Sequence, residues 1–210
     1  MYFISQGPEN TAEAARIAVR EAKERQITHI AAASNTGATI FALAEESAKQ
    51  GYGGKLVCVT HVYGFKENGK NEMPDEDRAK LEKMGIRVFT CAHALSGAER
   101  AMSRKFQGVY PLEIIAHSLR MFGQGMKVCV EIAAMALDGG LLPFGAEIIS
   151  IGGTVRGADT AIVLTPSYSS SIFETKIHEI LCKPRISDSR IPDSQIKDSN
   201  IPDSQRPGFR

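Results

Sequence analysis

The chain has 210 residues, 43% of them hydrophobic and 23% charged, which is the composition of a folded domain with a core of its own. With 25 Lys and Arg against 24 Asp and Glu, the net charge is +1, which removes the electrostatic basis for nucleic acid or an anionic membrane as the main partner. Apolar runs are strand-length, short of the ~20 residues a membrane helix needs, and the first fourteen residues hold no basic region followed by an apolar one, so a cytoplasmic location is expected.

In chain order, Asn10 and Glu13 have the spacing of a capping box, and Ala14, Ala15, Ala18, Val19 and Ala22 line one face of the helix that follows. Ile27–Ala33 is a short apolar run that suits a strand buried on both faces. A polar loop, residues 34–39, leads into a second helix over Ile40–Gln50, stopped by Gly51. Leu56–Thr60 is the next strand, and Asn68–Asn71 marks a polar excursion. Pro74 opens a charged helix to about Met84, and Ile86–Thr90 is a third strand.

Residues 96–122 are expected to form one or two helices broken near Gly108 and Pro111, followed by a longer helix over Met126–Leu137. Glu147–Ile151 and Thr160–Leu164 are further strands. The link between them, Gly152–Asp159, is too short for a parallel crossover, so the later strand is expected to run antiparallel. Ile177–Leu181 is a candidate edge strand. Alternation of this kind predicts an α/β three-layer sandwich with a mostly parallel sheet and an antiparallel last strand, over residues 1–182. Residues 183–210 contain a five-residue repeat (Ile186, Ile191, Ile196, Ile201) with too little apolar content to offset chain entropy, and are expected to be a disordered tail.

The four cysteines form no CxxC pair and the five histidines no metal-binding spacing, so buried reduced thiols and no metal site are expected. In an open α/β sheet ligands bind beyond the carboxyl ends of the parallel strands. The first strand runs there into Ser34, Asn35, Thr36, Gly37, Ala38 and Thr39, at the start of a helix. Free backbone amides, three hydroxyls and the helix dipole suit a phosphate, although one of these residues could simply cap the helix. Gly152, Gly153, Thr154 and Arg156 form a second anion-friendly turn, equally readable as a hairpin connection. Gly123–Lys127 opens another helix. His61 and His93 follow strand ends and are candidates for acid–base work, with Cys91 as the one plausible nucleophile.

The stretch Ala14–Thr60, with its Ser-Asn-Thr-Gly-Ala-Thr loop, resembles the C-terminal α/β domain of pyruvate kinase, and Gly157–Val163 is similar to that domain's turn into its last strand. The chain looks like the stand-alone family of pyruvate kinase C-terminal-domain-like proteins, over about residues 8–182. In some forms of the enzyme the matching loop grips a phosphate of an allosteric sugar bisphosphate. The resemblance therefore implies phosphate-gripping roles for Ser34, Thr36, Gly37 and Thr39, with Asn35 and Ala38 at variable positions. It also implies a phosphate-bearing small-molecule ligand, flavin mononucleotide (FMN) or a sugar phosphate, with FMN as the leading candidate cofactor. Pyruvate kinase catalysis is not expected, because phosphoryl transfer belongs to a separate barrel domain. The alternative is an enzyme acting on a phosphorylated metabolite, with His61 or His93 as acid–base. Homo-oligomerisation is left open.

Overall fold

In a computed structural model of the protein, residues 1–186 are described, and the expected tail from residue 187 onward lies outside the described residues. The chain opens on a two-residue strand, β1 (Tyr2–Phe3), and a 3-10 turn at Pro8–Asn10 runs directly into α1 (Thr11–Glu24). Asn10 does not cap this helix. Pro8 starts a turn that leaves Asn10 with helical dihedrals (φ −88, ψ −7), not the extended ones of a capping residue. Its side-chain amide donates back to the Ser5 carbonyl at 2.9 Å, while Glu13 pairs with Arg16.

β2 (His29–Ala33), α2 (Ala38–Gln50), β3 (Lys55–Thr60), α3 (Asp75–Lys83) and β4 (Arg87–Thr90) follow as alternating units. Residues 96–122 do break at Gly108 and Pro111, into α4 (Glu99–Phe106) and α5 (Pro111–Arg120). Then come α6 (Gln124–Asp138), β5 (Ile148–Gly152), β6 (Thr160–Thr165), a 3-10 segment at Ser169–Glu174, and β7 (Lys176–Pro184).

The seven strands form one sheet in the order β1-β7-β6-β5-β2-β3-β4. β5, β2, β3 and β4 are mutually parallel; β6 runs against them, as the short link from β5 requires. β7 pairs antiparallel with β6; among the described residues its Ile177–Leu181 stretch has no strand on its outer side, and only its last two residues, Lys183 and Pro184, are paired there, by Tyr2 and Phe3. From β4, at the far edge, α4–α6 carry the chain back across the sheet to place β5 beside β2. Strand order reverses there, beyond the carboxyl ends of β2 and β5, the place where open α/β sheets bind their ligands.

Two apolar layers enclose the sheet. On one face Ala14, Ala15, Ala18 and Ala22 of α1 join Ile40 and Leu43 of α2 and Leu81 of α3 over Ile30 and Ala32. On the other, Cys129, Ile132, Ala133 and Ala136 of α6 pack on Ala31, Val57, Ile148 and Ile162. Methyl side chains let both helices lie close to the sheet. The larger side chains, such as Ile30, Ile40, Leu43 and Ile149, each contribute about 1.5–3 kcal/mol by burial.

Asp159 closes the β5–β6 hairpin. Its carboxylate is fully buried and accepts from the Gly7 amide (3.2 Å), the Thr154 amide (3.2 Å) and the Thr160 hydroxyl (2.8 Å). It thereby ties the hairpin to the N-terminal turn. Gly157 lies at φ 72, and a Cβ there would sit 2.4 Å from Pro8 Cα, so only glycine fits the contact. Asp159→Ala is expected to cost about 3 kcal/mol, because it strands the buried Gly7 amide and the half-buried Thr154 amide. Asp159→Asn is expected to cost about 1 kcal/mol, since its amide can turn its oxygen to the two N–H groups and donate to Thr160. Thermal melts of the two variants check this, and equal losses would show that the carboxylate is not the tie.

Candidate functional site

At the end of β2 the ladder continues for one residue, with the Ser34 amide donating to the Val59 carbonyl at 3.0 Å. Ser34 is buried, and its hydroxyl accepts from the Ile40 amide at 3.3 Å, so it caps α2 from six residues upstream. Gly37 turns the chain at φ 93, where a Cβ would press on the Phe41 ring at 3.1 Å. Among the described residues, the backbone amides of Thr36, Gly37, Ala38 and Thr39 have no protein acceptor. They stand at the positive end of a thirteen-residue helix, where the dipole amounts to about half a charge. Thr36 and Ala38 are exposed, while Thr39 is buried.

Asn35 is held by His61 twice over. Its Oδ1 accepts the His61 backbone amide at 3.1 Å, and its Nδ2 lies 3.0 Å from His61 Nε2. The first bond fixes which end of the amide is oxygen, so Nδ2 donates and Nε2 accepts. The ring proton therefore sits on Nδ1, which donates to Glu72 Oε2 at 2.6 Å. Both nitrogens of His61 are engaged within the protein. Asn71 fastens this excursion to the end of β3 by donating to the His61 carbonyl at 3.0 Å.

The Phe65 ring packs on His61 (centroids 3.8 Å apart) and stacks on His93 (5.4 Å). Burial, assisted by repulsion from His61, Lys127 and Arg100 and opposed by Glu131, pushes His93 down to about 4. The Cys91 thiol is pushed up, first by burial and then by Asp138 and Glu131, which is the opposite of what a nucleophile requires.

Sequence reasoning did not single out Glu72, or the ion pair between Lys127 and Glu131 on α6. Those two are each 4% exposed, and Glu131 Oε1 accepts the Leu95 amide at 3.0 Å. Burial pulls the lysine down. It would raise the glutamate, but Lys127, His93 and the Leu95 amide outweigh it and hold the carboxyl below its ordinary value. Lys-to-Glu at i,i+4 is the spacing of an ordinary surface pair; the one available signal was that α6 is apolar on nearly every side.

The second expected element, Gly152–Gly153–Thr154 with Arg156, leaves β5 beside Ser34, because Ala32 and Ile151 are register partners. Two of its amides are already used, that of Thr154 by Asp159 and that of Arg156 by the Thr154 carbonyl at 2.7 Å, and just beyond it the Ala158 amide donates to the Thr11 hydroxyl at 2.9 Å. Arg156 is exposed. No hydrogen bond among the described residues joins this turn to residues 34–39. Gly125, in the first turn of α6, packs directly on Thr160, so α6 begins at the same edge of the sheet as α2. Cavities of about 310 Å³ (between α1 and β7) and 410 Å³ (at the amino ends of β2 and β3) lie away from these loops.

A family model described as pyruvate kinase, alpha/beta domain, matches residues 12–164, from the start of α1 to β6. The chain belongs to the pyruvate kinase alpha/beta domain family. Solved structures similar to it include a pyruvate kinase from Cryptosporidium parvum, 13% identical, with 75% of this chain and 23% of that chain covered and a TM-score of 0.40. Another is the Cryptosporidium parvum enzyme in complex with ADP, also 13% identical, with 73% and 22% covered and a TM-score of 0.37. The chain thus spans less than a quarter of the length of these enzymes. Within this family domain, the alternation of helix and strand up to β6 is the part the model matches, and β7 and β1 lie outside it.

Ser34 and Thr36 are expected to separate by role. Ser34→Ala leaves the Ile40 amide without its acceptor and should lower stability by about 1–2 kcal/mol, whereas exposed Thr36→Ala should change it by less than about 0.5 kcal/mol. Urea denaturation of both variants tests this. His93 adds a pH dependence: below about 6.5 the unfolded chain takes up a proton that the folded chain refuses until about 4. Stability is therefore expected to fall as pH drops through that window, and His93→Phe to flatten this part of the profile.

Proposed function

We propose that the protein binds a small molecule through a phosphate group at Ser34–Thr39, with FMN as the favoured ligand. The observation that carries this reading is the run of amides at Thr36–Thr39 with no acceptor among the described residues, on the amino end of α2, beyond the point where strand order reverses. The exposed Thr36 hydroxyl adds a donor, and Gly37, at φ 93 and packed against Phe41, allows the turn that presents these amides. Membership of the pyruvate kinase alpha/beta domain family supports the same loop, through its Ser-x-Thr-Gly-x-Thr pattern. Four unpaired cysteines fit a reducing, cytoplasmic compartment. The acid–base alternative draws less support, since His61 has both ring nitrogens engaged and His93 is held down to about 4.

Flavin fluorescence during titration with the protein tests the proposal. FMN emission is expected to change saturably, inorganic phosphate to compete, and Thr36→Ala to weaken binding by about tenfold, the equivalent of ~1.4 kcal/mol. Emission that stays flat up to millimolar protein, with no competition by phosphate, overturns it.

A further inference from the structure

We propose that Glu72 is a positioning residue for the Ser34–Thr39 loop, acting through the ring of His61 on the side chain of Asn35; the inference rests on reading that loop as the ligand site. Asn35 spans the gap between the ends of β2 and β3 by using both halves of its amide on one residue, Oδ1 on the His61 amide and Nδ2 on the His61 ring. The arrangement works for one ring tautomer alone, the one with Nε2 unprotonated. An imidazole left to itself interconverts between its two neutral forms. In the other form an N–H would point at an NH2 group, two donors face to face, and Asn35 would have to turn away and surrender the His61 amide as well.

Glu72 decides between the forms. Its Oε2, 2.6 Å from Nδ1, accepts the ring proton and keeps it there. The bond is sheltered, with the two side chains 27% and 21% exposed, and Phe65 against the imidazole fixes the ring plane. Glu72 in turn is held in register by Asn71, which donates to the His61 carbonyl and accepts the Met73 amide, each at 3.0 Å. A carboxylate that orients a histidine, which orients a ligand-bearing group, is the same device that metal sites use to fix their first ligands. Here the group it orients is the residue immediately before the free amides of Thr36–Thr39.

The test uses the full chain, with Glu72→Ala and Glu72→Gln. Long-range ¹H–¹⁵N spectra of the apo protein assign the His61 tautomer, and hydrogen exchange reports whether its backbone amide is still held by Asn35. Wild type is expected to show the Nδ1–H form and a protected His61 amide. Glu72→Gln, whose side-chain oxygen can still accept the proton, should keep both features and the wild-type affinity for FMN. Glu72→Ala should populate the Nε2–H form, speed exchange of the His61 amide, and weaken FMN binding by about tenfold. A wild-type Nε2–H form, or a Glu72→Ala variant with unchanged tautomer and exchange, overturns the proposal. So does a Glu72→Ala variant whose tautomer changes while FMN affinity does not. If wild type binds neither FMN nor phosphate, the ligand reading falls, and the apo spectra still decide whether Glu72 positions the loop.

Discussion

The position of β2 between β3 and β5 is the constraint on which the rest depends. Because β3 and β4 are added on one side of β2, and β5 returns on the other, two helices on opposite faces both start at the carboxyl edge of the sheet. The sequence permits this by keeping that centre thin. Ala31 and Ala32 are fully buried on β2, and the faces of α1 and α6 turned toward the sheet are rich in alanine. Bulkier residues there would hold the helices farther off and spread their amino ends apart.

At that edge the polar residues divide between holding the loop and leaving it available. Ser34 and Asn35 are consumed internally, the first on the Ile40 amide and the second on His61. What remains without a partner among the described residues is the exposed Thr36 hydroxyl and main chain, the amides of Thr36–Thr39. The neighbourhood is not uniformly basic: a Cβ at Gly37 would lie 3.9 Å from Asp77 Cβ, whose carboxylate pairs with Lys80 at 2.9 Å. Attraction for an anion must therefore come from short-range donors and the helix end rather than from long-range charge, in keeping with a net charge of +1.

Most of the architecture was legible because it was periodic. Runs such as Leu56–Thr60, and the alanine stripe of α1, carry period and length together, and the eight-residue link fixed the sense of β6. What escaped was non-local or too short to have a period. β1 is two residues long and exists because β7 offers it an edge. Asn10 had the right neighbour for a cap but the wrong dihedrals, set by Pro8. In the site, the loop and His61 were visible as residue types at strand ends. Their joining was not, since a bond between residues 26 apart, and the choice of Glu72 as third member, depend on how the 61–74 excursion folds back. Lys127 and Glu131 have the same spacing inside the core that they would have in solvent.

The distribution of sulfur in this fold carries an experimental convenience. Cys58, Cys129 and Cys182 are sealed among packed side chains, and burial suppresses their ionisation, whereas Cys91 at the end of β4 is merely half-covered. An alkylating reagent thus meets one slow sulfhydryl on intact molecules and four on chains that have opened. Counting the labels per molecule by mass would report the unfolded fraction directly, without a dye or an added tag.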